Sequence, residues 1–147
     1  MNQRKFDEFQ GKDVIATTLC NQNGCTAEIL NFGGILHSLK VPDKNGEFRD
    51  VIIGHNEAQT YFEDGAYHGG LIGRYGNRIG KGKLSINGVS YQLALNDNGI
   101  NHLHGGNIGY SRRFWNMDCV TGNSITLSLV DEDGNEQYPG TIRVSVT

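Results

Sequence analysis

The chain has 147 residues, a length that suits one domain able to bury about two thirds of its unfolded surface. Its formal net charge of −3 argues against nucleic acid or an anionic membrane as a partner. The 21 glycines against 2 prolines, with 37% apolar residues, indicate a folded domain with many tight turns rather than disorder.

The N-terminal residues 1–13 lack the apolar core of a signal peptide, and no later run approaches the roughly 20 apolar residues of a membrane span. We therefore predict a cytoplasmic protein with no membrane partner. The three cysteines, Cys20, Cys25 and Cys119, form no CxxC pair. In a reducing compartment we interpret them as small buried hydrophobic side chains rather than as disulfides.

Apolar residues recur with a period of two through most of the chain, which predicts short strands joined by turns. In the first third the predicted strands lie at 14–20, 25–29, 35–41 and 51–53. The last of these, Val51-Ile52-Ile53, is typical of a buried strand. One short helix is predicted over residues 56–62, with Asn56 as its N-cap.

The central stretch contains a hairpin signal. Asn87-Gly88 suits the two positive φ angles of a tight turn, and this turn would place Ile86 opposite Val89. We expect six alternating apolar residues to share one buried face: Leu84, Ile86, Val89, Tyr91, Leu93 and Leu95. The hairpin would separate and position the polar segments on either side of it, and bring Arg78 and His104 to the rim of a common hollow.

The last third predicts strands at 114–120, 125–129 and 142–146, and hence one all-β, sandwich-like domain. Residues 131–140 form a polar loop, and its acidic residues are interpreted as solvated surface: Asp131, Glu132, Asp133 and Glu136. Alternation continues to the end of the sequence. We therefore expect the final strand to offer an edge for self-association or for pairing with a missing C-terminal half.

Asn77 and Arg78 are the first candidate ligand-binding residues. Arginine carries five donors in a planar fork that suits vicinal hydroxyls or a carboxylate, and asparagine adds a donor and an acceptor. The alternative is that Arg74 and Arg78 pair with surface carboxylates. Five aromatic residues could stack on a sugar ring or could belong to the core: Tyr75, Tyr91, Tyr110, Phe114 and Trp115.

His102 and His104 stand two residues apart, so they would share one face of a strand. A His-x-His pair can begin a metal site, but glycines rather than a carboxylate follow His104, and we predict neither a metal nor a cofactor. The glycines leave room in front of the His104 imidazole. His104 could therefore donate to a ligand oxygen, or could be fixed by backbone hydrogen bonds.

Several blocks together resemble one family, the aldose 1-epimerases or galactose mutarotases. They occur in order, from about residue 6 to the end: Asn31-Phe32-Gly33-Gly34, Val41-Pro42-Asp43-Lys44-Asn45-Gly46, Gly76-Asn77-Arg78-Ile79, Leu103-His104-Gly105-Gly106, Trp115 and Tyr138-Pro139-Gly140. The resemblance implies that residues 1–147 are the N-terminal part of a galactose mutarotase-like β-sandwich (supersandwich), incomplete and with at most one short helix. The implied reaction interconverts α and β anomers of hexoses such as galactose and glucose.

The resemblance also implies site residues. Asn77 and Arg78 would bind sugar hydroxyls, and His104 would help to place and polarise the sugar. The supporting or packing roles fall to Arg74, His102 and Trp115. Members of the family are considerably longer, and their principal catalytic histidine and glutamate lie in the part that has no counterpart here.

No catalytic residue is therefore predicted in this chain, with His104 assisting at most. Ring opening needs one proton removed and another delivered together, so the isolated chain is expected to be inactive. A non-catalytic carbohydrate-binding β-module is the main alternative. A metal-dependent β-barrel built on His102 and His104 is a third hypothesis.

Overall fold

A computed structural model describes residues 2–147, and its regular structure is almost entirely antiparallel β-sheet. The first sheet is a five-stranded meander in chain order: β1 Asn2–Phe9, β2 Lys12–Cys20, β3 Thr26–Leu30, β4 Leu36–Pro42 and β5 Phe48–Asp50. Alternation in β2 buries Val14 and Ala16 completely. The strands predicted at 14–20, 25–29 and 35–41 are thus confirmed.

One helix and four short strands follow: α1 Ala58–Glu63, β6 Arg78–Ile79, β7 Lys83–Ile86, β8 Val89–Gln92 and β9 His102–Leu103. The two central strands, β7 and β8, pair as a hairpin, while β6 pairs with β9. The predicted short helix is confirmed, but its predicted cap is wrong. Glu57 is the N-cap, and its side chain makes no capping hydrogen bond.

The last sheet has three strands in chain order: β10 Asn116–Val120, β11 Ile125–Asp131 and β12 Ile142–Val146. Every second residue of β11 is buried, from Ile125 to Asp131. Among residues 2–147, β12 pairs only with β11, so its other edge is open in this part of the chain.

Two apolar cores hold these elements together. The first lies under the five-stranded sheet and α1, and contains Val14, Leu30, Phe32, Ile35 and Tyr61. The second contains Tyr110, Trp115, Ile125, Leu127 and Leu129, with Leu19 and Ile29 of the first sheet packed against it. The two larger sheets therefore face each other, as predicted. Each fully buried large side chain contributes about 1.5–3 kcal/mol.

Two strand predictions need correction. Residues 51–53 form no strand, and Ile53 is 74% exposed; Asp50 accepts from the backbone N–H of Leu39 and Ile52, which turns the chain out of the sheet. Strand β1 was not predicted, because its charged residues hide the alternation. Arg4 pairs with Glu28, and Lys5 with Glu8 and Asp13, across the exposed face.

The hairpin register is confirmed, with Ile86 opposite Val89, but burial of its apolar face is wrong. Val89 is 53% exposed, and of the six apolar residues only Leu93 reaches the core. The reason is topological: β7 and β8 form a two-stranded sheet that pairs with no other strand in residues 2–147.

The cysteine prediction is also wrong, since Cys20 and Cys119 are exposed and Cys25 is half-buried. Cys20 ends β2 at a turn, and Cys119 follows an irregularity in the pairing of β10 with β11. All three are free thiols. In the described part of the chain, no helix has the length and apolar character needed to cross a membrane.

Candidate functional site

Direct pairing of β6 with β9 brings the two candidate segments together. The strands are antiparallel, with Arg78 opposite Leu103 and Ile79 opposite His102. The backbone N–H of His104 donates to the carbonyl oxygen of Asn77 at 3.1 Å. The β7–β8 hairpin, which was predicted to set the separation of the two segments, lies in the connection between β6 and β9. The direct pairing of β6 with β9 sets that separation.

His104 is positioned by Asn77 and Tyr67. The backbone N–H of Asn77 donates to His104 Nδ1 at 3.0 Å, so the neutral ring carries its proton on Nε2. The Tyr67 ring packs edge-on against the imidazole, with ring centroids 4.8 Å apart. Partial burial, together with the charge of Arg78, lowers the pKa of His104. The ring is therefore a neutral donor near pH 7.

Arg78 is held through two of its three guanidinium nitrogens. Its Nε donates to Asp97 Oδ2 at 2.7 Å, and one terminal nitrogen donates to Asn77 Oδ1 at 3.3 Å. Within residues 2–147 the other terminal nitrogen makes no hydrogen bond. The hydrogen bond from Arg78 lowers the pKa of Asp97, which stays ionised. The surface-pairing alternative thus holds for the Nε–H of Arg78, while the side chain as a whole is 54% exposed.

Asn96 holds the backbone that presents His104. Its Nδ2 donates to the carbonyl oxygens of Leu103 and Gly106, and its Oδ1 accepts from the Leu103 N–H, at 2.8–3.0 Å. Position 105 also requires glycine, because a Cβ there would overlap the carbonyl oxygen of Gly73. Sequence reasoning missed Asn96, since its partners lie across a turn that pattern alone does not define.

Glu136 orders the same loop from the opposite side. Its carboxylate accepts from the backbone N–H groups of Asn107 and Ile108 at 2.9 and 2.8 Å. It was predicted to be solvated surface, and that prediction is wrong. Two backbone N–H donors in the loop need an acceptor, and Glu136 supplies both oxygens.

Asp131 overturns the same surface prediction more strongly. Its side chain is only 2% exposed and accepts from Arg74 Nε at 2.8 Å and from Arg113 at 2.7 Å. Burial alone would raise the pKa of Asp131, but the Arg74 hydrogen bond and the two positive charges lower it. Arg74 also donates to the carbonyls of Pro139 and Gly140 at 2.8 Å, so its predicted supporting role fits these contacts.

His102 does not share a face with His104. It is fully buried, its Nδ1–H donates to the Ala94 carbonyl at 2.9 Å, and its Nε2 accepts from the Tyr138 hydroxyl at 2.7 Å. His104 has left strand geometry, with φ at 52°. Since both nitrogens of His102 are engaged, a metal site on these two histidines is not supported.

Most of the candidate aromatic residues belong to the interior. Tyr110 and Trp115 are buried in the second core, and the Trp115 indole donates to the Tyr110 carbonyl at 3.1 Å. Tyr75 alone of the five is strongly exposed. Tyr67, which contacts His104, was missed, because nothing in its local pattern separates it from core tyrosines.

Both paired segments lie in the part of the chain that matches a known protein family. The family model described as aldose 1-epimerase matches residues 16–147, which include both β6 and β9. The chain belongs to the aldose 1-epimerase family. The resemblance found in the sequence is therefore confirmed.

Individual relatives in the aldose 1-epimerase family agree. Galactose mutarotase of Sus scrofa is 40% identical over 120 residues, covering 82% of this chain and 34% of the relative. Aldose 1-epimerase of Haemophilus influenzae is 34% identical over 147 residues, covering all of this chain and 42% of the relative. The chain thus spans about a third to two fifths of these relatives.

A solved structure gives the same result for the fold. The crystal structure of an aldose epimerase homologue from C. elegans matches with a TM-score of 0.84 and 30% identity, covering 90% of this chain and 40% of that one. The predicted mutarotase-like β-sandwich is confirmed for the part of the fold that residues 2–147 describe.

Proposed function

We propose that this chain forms the sugar-binding part of an aldose 1-epimerase, with Asn77, Arg78 and His104 contacting the hydroxyls of a free hexose. The main supporting observation is the Asn77 N–H bond to His104 Nδ1 at 3.0 Å, which leaves Nε2–H as a donor on the segment that pairs with Asn77 and Arg78. The names of the relatives, galactose mutarotase and aldose 1-epimerase, support an aldose as the ligand.

The proposed role of His104 is to position and polarise the sugar. Mutarotation removes a proton from the anomeric hydroxyl and delivers one to the ring oxygen, so it needs a base and an acid with suitable pKa values. The lowered pKa of His104 makes its ring neutral near pH 7, and a neutral Nε2–H donates a hydrogen bond without being a strong acid. We assign the acid and base to groups outside these 147 residues.

A calorimetric titration with galactose tests the proposed binding residues. We expect Arg78→Ala to weaken binding at least about tenfold, since a charged hydrogen bond contributes about 1.5–3 kcal/mol. Arg49→Ala is the matched control, because Arg49 is exposed and pairs only with Asp43 and Glu47. Equal affinity of both variants would rule out Arg78 as a sugar ligand.

Polarimetry of freshly dissolved α-galactose tests the division between binding and catalysis. We expect the 147-residue chain to leave the rate of mutarotation at the buffer value. Two assisted proton transfers would be missing, and each typically accelerates a reaction about 10²–10⁴-fold. Clear acceleration by this chain would show that the acid and base lie within it.

The remaining proposals concern partners and location. We propose that the open edge of β12 pairs either with further sequence of the same fold or with a second copy of the chain. Sedimentation across a concentration series would detect the second copy. The cytoplasmic location stays a prediction from the sequence.

A further inference from the structure

Two histidines and an aspartate converge beside α1, and one of them, His68, directly follows Tyr67 in the chain. His55 precedes the helix, Asp64 caps its C-terminus, and His68 lies in the turn that follows. One side-chain ligand atom from each lies within 4.8 Å of the others. All three residues are half-buried.

The geometry of the cluster is close to that of a metal-binding triad. His55 Nε2 lies 3.4 Å from Asp64 Oδ2, and His68 Nδ1 lies 2.7 Å from the same oxygen. Ligand atoms of a tetrahedral zinc site are about 3.4 Å apart, given Zn–N bonds of about 2.0–2.1 Å. Closure around an ion therefore needs side-chain adjustments of about an ångström.

His55 provides a second observation. Its Nε2 is buried and has no hydrogen-bond partner in the described part of the chain. Buried polar atoms are nearly always satisfied, and this nitrogen lies 3.4 Å from the Asp64 carboxylate, so it is free to bind a ligand between the two. A cation would satisfy the Nε2 lone pair, the Asp64 carboxylate and His68 together.

We propose that His55, Asp64 and His68 bind a divalent transition-metal ion of the zinc class, through two imidazole nitrogens and one carboxylate oxygen. This donor set is the one that zinc and similar ions use when a fourth position stays open to water. Tyr67, whose ring packs against His104, directly precedes His68, so the proposed metal site adjoins the proposed sugar-binding groups.

The contacts of Asp64 suit this role. Its carboxylate accepts from the backbone N–H groups of Ala66 and His68 at 2.8 and 3.2 Å. Such donors stabilise the charged carboxylate, which is the form that binds a cation. The proton that His68 Nδ1 shares with Asp64 would move to His68 Nε2, and the Nδ1 lone pair would then bind the ion.

The surrounding contacts hold the ligands in place. Asp64 Oδ1 accepts from the Ala66 N–H at 2.8 Å, and the His55 ring packs against Tyr61 with centroids 4.9 Å apart. Arg112 donates to the carbonyls of Phe62 and Asp64. No metal was predicted from the sequence, where only His102 and His104 were considered as ligands. The spacing of residues 55, 64 and 68 matches no zinc motif, and only the fold brings them together.

Zinc calorimetry and Co²⁺ absorption test the proposal on the 147-residue chain. Cys20, Cys25 and Cys119 are first replaced by serine, because thiolates bind the same ions. We expect one equivalent of Zn²⁺ to bind, and Co²⁺ to give the visible absorption of a four- or five-coordinate ion. No binding of Zn²⁺ by this folded parent would overturn the proposal.

Variants identify the ligands. His55→Ala and His68→Ala should each weaken Zn²⁺ binding at least about tenfold, as should Asp64→Asn, which keeps the size and one acceptor oxygen. Asp118→Asn is the matched control for Asp64→Asn, since it removes an exposed carboxylate on β10 and should leave the affinity unchanged. Circular dichroism confirms that each variant is folded. Unchanged affinity in the three cluster variants would refute the site.

Discussion

Two arginine–aspartate pairs start four residues apart in the chain and have opposite characters. The Arg74 side chain is 9% exposed and its partner Asp131 2%, whereas the Arg78 side chain is 54% exposed and its partner Asp97 12%. Arg74 donates hydrogen bonds from all three guanidinium nitrogens, to the Asp131 carboxylate and to backbone carbonyls. Arg78 keeps one terminal nitrogen without a partner in residues 2–147, so the exposed pair is the one available to a ligand.

The two guanidinium groups differ in their surroundings and therefore in their roles. The buried Arg74 supports the fold, and the exposed Arg78 is the one that we propose contacts the sugar. A buried charge must have its partners inside the protein, because losing them leaves an unsolvated ion. An exposed charge is solvated with or without its partner, and so contributes little to folding. The variants below test that difference, beginning with the largest expected effect.

Replacing Asp131 should destabilise the chain most. Asp131→Ala leaves the nearly buried Arg74 and the partly exposed Arg113 without their carboxylate, at a cost of about 3–5 kcal/mol in the free energy of unfolding. Asp97→Ala is the matched variant and should cost about 1 kcal/mol or less. Urea denaturation measures both, and similar losses would show that burial does not distinguish the two pairs.

Arg74→Lys should have the next largest effect. Lysine keeps the charge but not the planar fork, so it cannot bind Asp131 and the carbonyls of Pro139 and Gly140 at once. We expect a loss of about 2 kcal/mol, from one or two unsatisfied buried acceptors. A urea midpoint equal to that of the parent chain would show that the forked contacts are dispensable.

Arg78→Lys should affect folding far less, by under about 1 kcal/mol, because only a solvated pair with Asp97 is changed. Galactose affinity should nevertheless fall, since an ammonium group cannot present two parallel donors to neighbouring hydroxyls. Denaturation and calorimetry on the same sample separate these effects. A variant that lost stability and kept affinity would reverse the assigned roles.

The smallest effect concerns pH and His104. Its pKa is lower in the folded chain than the ordinary value of 6.5, so acid protonates the unfolded state first and stability falls as pH drops through that range. His104→Asn keeps an acceptor for the Asn77 N–H but does not titrate. Thermal unfolding at pH 7.5 and 5 should show the parent losing more stability, by at most about 1 kcal/mol. Burial also lowers the pKa of His37. Because His37 is present in both proteins, its effect cancels when the stability loss of the variant is subtracted from that of the parent.

Periodicity predicted most strands because each has one face toward a core. It failed at residues 51–53, where Asp50 binds the backbone and turns the chain, and at β1, where ion pairs occupy the exposed positions. It also predicted a buried hairpin face, although burial depends on what lies opposite. No local pattern carries that information.

The supporting residues of the site were less accessible to sequence reasoning. Asn96 and Glu136 act through backbone groups of a distant loop, and such partners follow from the fold alone. For Asp131 a usable signal did exist. It continues the alternation of Ile125, Leu127 and Leu129, so its position predicts burial, and a buried carboxylate needs cationic partners.

The bond between the Asn77 amide and His104 has one more consequence, for selectivity. By consuming the only lone pair of the imidazole, it leaves His104 and Arg78 with N–H donors alone at the edge of the proposed sugar site. Such an edge attracts hydroxyl and carbonyl oxygens and repels an ammonium substituent. An amino sugar, protonated near neutral pH, should therefore compete poorly with its hydroxyl counterpart.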